Sequence, residues 1–168
     1  MKVIFASSLV FLQIAFQANA DVNSSSGYAS NGIDTVRLHD LNNSLNHHSG
    51  NIISIRQKLM EKEPVDHQIA NDGEYSDTVL FDISEINNDI GDLVAKQNLL
   101  GAMESEHGKA MVSEHKKGDT KTFNSKCGNY LAGLNLSLSK IRDGALAFEV
   151  KSARDDVVKI CGIVHNWE

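Results

Sequence analysis

The chain has 168 residues, 22 of them acidic and 16 basic, for a net charge of −6, with a single proline and 6% aromatic residues. An acidic balance opposes nonspecific binding to nucleic acid or to anionic membrane surfaces, which depends on basic patches. Scarce proline and aromatic residues argue for helix over a turn-rich sandwich.

Residues 1–20 read as a cleavable export signal. Lys2 begins it, Val3–Phe16 is apolar apart from Ser7, Ser8 and Gln13, and Ala18-Asn19-Ala20 offers small-x-small to a signal peptidase. The run is too short for a membrane span, which takes about 20 apolar residues. No second long apolar run follows, so the mature chain is expected to be soluble, without a span. The cleavage motif followed by Asp21 suits a bacterial enzyme and the periplasm, with extracellular secretion as the alternative.

Residues 21–32, DVNSSSGYASNG, offer almost nothing to bury and read as a flexible leader. The remaining chain, 33–168, is long enough for one domain with its own core.

From Ile33 the period is helical. Leu38, Leu41, Leu45, His48, Ile52, Ile55 and Leu59 form a heptad stripe in which His48 is the one polar member. Asn31 or Asp34 is the candidate N-cap, and Pro64 stops the helix. A polar connector, Glu63–Tyr75, is expected next, with Ser76 capping the second helix. There Val79, Ile83, Ile86, Ile90, Leu93, Gln97 and Leu100 continue the spacing. The pattern frays near Gly101 and Gly108, at Glu104 and His107, where the helix either runs on with a polar seam or kinks, and it is expected to end at Gly118.

The last third holds two further stripes: Phe123, Cys127, Tyr130, Leu134, Leu138 and Ile141, then Leu146, Val150, Ala153, Val157, Cys161 and Val164. Arg142-Asp143-Gly144 between them reads as a turn, with Gly144 available for a left-handed C-cap. Cys127 and Cys161 are equidistant from Gly144, so an antiparallel hairpin folded there brings the two cysteines together. An exported chain with two cysteines favours their oxidation. The bridge closes about 34 residues and contributes roughly 4 kcal/mol by chain entropy. Gly128 and Gly133, inside a helical stripe, are expected to permit close helix packing. The fold expected from all this is all-α: an antiparallel four-helix bundle of two helical hairpins, the second closed by a disulfide.

Chemistry is sparse. There are seven histidines, and Glu104 and His107 have the Glu-x-x-His spacing by which a helix aims two ligands at one metal. No second such motif exists, so both are weak candidates, and no metal or other cofactor is expected. No Gly-x-Ser-x-Gly elbow, C-x-x-C pair or glycine-rich phosphate loop occurs, so the chain is read as non-enzymatic. Asn23, Asn42 and Asn135 begin Asn-x-Ser sequons, at a frequency near chance. His48 is a candidate for fixing register or sensing pH, and Trp167, at the chain end, for contacting a partner.

The expected function is binding of another protein, as an inhibitor, immunity-type neutraliser or envelope accessory. An acidic binder is matched by a basic partner. Nucleic acid is not expected, and the oligomeric state is open. The alternatives are a small-ligand or metal carrier, and an acid-responsive envelope chaperone.

Overall fold

The computed structural model describes the backbone of residues 29–61 and 67–167, and side chains at 35–61, 71–103 and 108–167. The export signal, most of the leader and Pro64 lie outside the described residues.

Four helices account for the described chain: α1 (Ala29–Met60), α2 (His67–His107), α3 (Lys109–Lys140) and α4 (Gly144–His165). Helix α1 packs on α2 and α4, and α3 packs on the same two, which puts α2 and α4 across the diagonal of a four-helix bundle. Polar cross-links give the directions. Arg56 meets Asp77 while Asn46 meets Asn87, so α2 descends as α1 rises. Asp89 with Lys126, and Lys96 with Asp119, do the same for α2 and α3.

The heptad stripes become the core. In α1, Leu38, Leu45 and Ile52 are fully buried and Leu59 nearly so, whereas Leu41, His48 and Ile55 are half-buried. Val79, Ile83, Ile86, Ile90 and Leu93 of α2 meet Phe123, Cys127, Tyr130 and Leu134 of α3 and Leu146, Val150, Ala153 and Val157 of α4 in one cluster. Each fully buried aliphatic side chain contributes about 1.5–3 kcal/mol. The stripes are displaced in two places. Ser137 is buried while Leu138 is only half-buried, and Ile160 is buried more deeply than Cys161.

Several boundaries differ from the sequence reading. Helix α1 begins at Ala29, upstream of both proposed N-caps. Helix α2 begins at His67, so most of the expected connector is helical and Ser76 is no cap: it is buried, its hydroxyl donating to the Gly73 carbonyl at 2.7 Å. The α2–α3 break falls at Gly108, not Gly118. Gly108 has φ 82° and ψ 144°, a backbone conformation essentially reserved for glycine, whereas Gly118 continues α3. Residues 109–118 therefore belong to the third helix, and α2, at 41 residues, is the longest element. Gln97 ties its far end to α3, donating to the Lys116 carbonyl at 3.2 Å.

The Cys127–Cys161 disulfide is present, with Cα atoms 6.0 Å apart. The turn before α4 works differently from expectation. Helix α3 closes on Ile141 in extended conformation, Asp143 is the N-cap of α4, and Gly144 is its first residue, not a left-handed C-cap.

Candidate functional site

Helix α2 carries an acidic run. Asp72, Glu74, Asp77, Asp82, Glu85, Asp89 and Asp92 fall within residues 71–95, a stretch without lysine, arginine or histidine. The signal was the missing bases, not any motif. Helical spacing gathers Asp82, Glu85 and Asp89 on the side of α2 that faces α3.

There the two helices enclose an open cleft of about 410 Å³, lined by Asp82, Glu85, Asn88 and Asp89 from α2 and by Lys126, Asn129 and Tyr130 from α3. Asp89 is satisfied: Lys126 Nζ donates to both its oxygens, at 2.8 and 2.7 Å, and the Tyr130 hydroxyl donates to Oδ2. Burial, the Asp89 hydrogen bond and the charges of Asp89, Glu85 and Asp82 together hold the Tyr130 hydroxyl well above its ordinary range, so it stays a donor. Asp82 is different. Its Oδ2 is shut off from solvent without a hydrogen-bond partner, and burial, then the Glu85 charge, raise its carboxyl above the ordinary range. Gly133 makes room for it: a Cβ there would stand 2.7 Å from Asp82 Oδ2. Gly133 thus admits a carboxylate, while a Cβ at Gly128 would meet nothing within 4 Å, so close packing does not require that glycine.

Three carboxylates, of which Glu85 is the exposed one, share the cleft with one lysine. Phe81 stands beside it in sequence on the same helix, 63% exposed. The cleft therefore combines negative charge with two amide side chains, the Tyr130 hydroxyl proton being engaged by Asp89. Such carboxylates can accept charge-assisted hydrogen bonds from ammonium or guanidinium groups.

The residues singled out from the sequence do not converge here. His48 sits at the α1–α4 seam, half-buried, with Nδ1 2.7 Å from Glu149 Oε2 and Nε2 3.6 Å from Asp156 Oδ2. Asp156 is 6% exposed, and its other oxygen accepts from Lys159 Nζ at 2.7 Å. Trp167 is half-buried and packs against the core at the C-terminal end of α4. The Glu104 and His107 side chains lie outside the described residues. Among the described residues no group of three or more His, Cys, Asp or Glu is placed to hold a metal, and no helix is long and apolar enough to cross a membrane. Of the sequons, Asn135 is exposed, Asn42 has its Oδ1 buried without a partner, and Asn23 lies outside the described residues.

The fold and site define an all-α four-helix bundle with an acidic interhelical cleft and one structural disulfide. Comparison with protein-family models, with curated proteins and with solved structures finds no match to this chain.

Proposed function

We propose that this chain is an exported, non-enzymatic bundle that binds another protein through the acidic face of α2, the partner presenting a basic surface. The observation that carries the reading is the run from Glu74 to Asp92, six carboxylates without an intervening base, opening into the cleft with α3. Charge of one sign gathered on one face steers association and rejects like-charged competitors. The export signal and the two oxidised cysteines support a compartment outside the cytoplasm, and the cleavage motif favours the periplasm over secretion from a eukaryotic cell.

The test uses the exposed carboxylates that anchor nothing. Wild-type protein and the Glu74→Gln/Glu85→Gln/Asp92→Asn variant are used to capture partners from envelope or extracellular extract, at low and at high salt. The expected result is a basic protein retained by wild type at low salt and lost on substitution or with added salt. A partner retained equally by the variant, or insensitive to salt, overturns the assignment. Native mass spectrometry of untagged protein covers the carrier alternative, which a stoichiometric metal or small-molecule mass would favour.

A further inference from the structure

Helix α4 has two faces, and the bundle uses only one. Leu146, Val150, Ala153 and Val157 point into the core. On the opposite side Gly144, Phe148, Lys151, Asp155, Val158 and Gly162 recur at spacings of four and three residues, a second heptad stripe. All but the half-exposed Asp155 are exposed, with Phe148 at 66% and Val158 at 50%. An exposed heptad stripe with large apolar members fits a partner helix.

The order of residues along this stripe says which helix. Read from either end, it is glycine, a large apolar residue, a charge, the opposite charge, a large apolar residue, glycine. The centre of the pattern lies midway between Lys151 and Asp155. Laid antiparallel on a copy of itself about a two-fold axis at that point, Lys151 faces Asp155 of the partner subunit and the reverse pair forms by symmetry. Phe148 then meets Val158 of the partner subunit twice, and Gly144 meets Gly162 of the partner subunit at both ends. In a parallel arrangement lysine would face lysine and aspartate aspartate, so charge selects the antiparallel pairing. The two glycines have open space around them, without a side chain to hold a second helix away.

We propose that the outer face of α4 is a self-association surface whose occupant is a second copy of this chain, in an antiparallel two-fold dimer. Within one chain Lys151 Nζ already donates to Asp155 Oδ2 at 2.8 Å, and Arg154 Nε to Oδ1 at 3.0 Å. In the dimer the four central charges form a closed ring of alternating sign. A polar centre in such a seam lowers affinity and fixes orientation and register. The contact is one helix per subunit, at the small end of specific interfaces, so the dimer is weak and concentration-dependent. Because α4 lies diagonally across from α2, the two acidic faces stay open and point away from one another, and the proposal stands independently of the function assigned to them.

Sedimentation velocity of the purified exported protein, from about 20 μM to 1 mM, is expected to show a reversible monomer–dimer equilibrium. Lys151→Asp and Asp155→Lys each set like charges face to face at both symmetry-related positions and are expected to weaken dimerisation by about tenfold or more. An equimolar mixture of the two variants recovers association, since each aspartate then faces a lysine. The double variant Lys151→Asp/Asp155→Lys recovers it alone. The recoveries also show that the substituted proteins are folded. A wild-type protein that stays monomeric across this range, or a dimer indifferent to the single swaps, overturns the proposal.

Discussion

The carboxylate of Asp72, on α2, accepts the backbone N–H of Asp143 at 2.8 Å across the bundle end, 71 residues away in sequence. Its other oxygen accepts the Arg142 N–H at 2.9 Å, and Asp143 in turn caps α4 by accepting from the Leu146 N–H at 2.9 Å. One buried side chain on α2 thus sets where α3 stops and α4 starts, because neither amide has a helical partner in this turn.

Removing this anchor costs more than removing the cap it supports. Asp72→Ala leaves two part-buried amides without their acceptor and is expected to lower stability by about 2–4 kcal/mol. Asp143→Ala removes one N-cap bond and is expected to cost about 1 kcal/mol. Urea unfolding of the two variants ranks them; equal losses would mean that Asp72 is not the anchor.

The Cys127–Cys161 bridge joins α3 near its middle to α4 near its end, closing 34 residues. Reductant, or Cys127→Ser with Cys161→Ser, is expected to lower stability by up to about 4 kcal/mol, less where the reduced hairpin stays compact. Reductant is expected to leave the double variant unchanged. Thermal melts with and without reductant decide this, and a wild type indifferent to reductant removes the bridge from the stability argument.

Two aspartates give opposite pH signatures. For Asp82, burial and then Glu85 raise the folded-state value above the ordinary 3.8, so the folded protein binds this proton more readily than the unfolded chain does. Its contribution to stability is therefore lost as pH rises from about 4 through the raised value. Asp82→Asn is expected to remove that loss and to be the more stable protein at pH 7. Asp155 is lowered to about 2 by hydrogen bonds from Lys151 and then Arg154. Its contribution is present above about pH 4 and is lost as pH falls towards 2, so Asp155→Asn flattens only that acid limb. Stability measured from pH 2 to 8, wild type against each variant, separates the two windows by sign.

His48 joins α1 to α4 through Glu149, with Asp156 within ion-pair distance on its far side. A double-mutant cycle of His48→Ala and Glu149→Ala is expected to give a coupling of about 0.5–3 kcal/mol, as for side chains sharing one network. Zero coupling, together with unchanged stability in His48→Leu, would leave the histidine without a part in register.

The glycines are expected to respond in opposite directions. Gly108→Ala places a side chain at φ 82° and is expected to cost about 1–2 kcal/mol. Gly128→Ala, inside a helix with nothing near its Cβ, is expected to gain about 0.5–1 kcal/mol. Denaturant midpoints of the two variants check the sign of each.

The stripes were legible because a helix buries whatever its period brings to one side. Leu38, Leu45, Ile52 and Leu59, or Val79 through Leu93, can be counted off the chain before any tertiary contact is known. The boundaries were less so. Gly118 and Gly108 look equally able to break a helix, and only packing of residues 109–118 against the end of α2, through Gln97, makes the earlier one the break. Ser76 resembles a cap by composition, yet the helix starts nine residues ahead of it because core contacts outweigh local propensity. The acidic cleft needed α3 as well as α2: only the pairing of Asp89 with Lys126 and Tyr130 separates a satisfied carboxylate from its unpaired neighbour Asp82.

What the sequence by itself determined are the properties that repeat along the chain: four amphipathic helices, a net negative surface and two cysteines placed to meet. These follow from local periodicity and residue count, which survive any rigid shift of one helix against another. Tertiary structure alone decided which polar groups face one another. His48 reaches Glu149 because of how α1 is rotated against α4, and Asp72 reaches the Asp143 amide because of where α2 begins beside the turn between α3 and α4. Such pairings depend on the rotation and offset of whole helices, quantities that the summed packing of the core sets and no short stretch of sequence encodes.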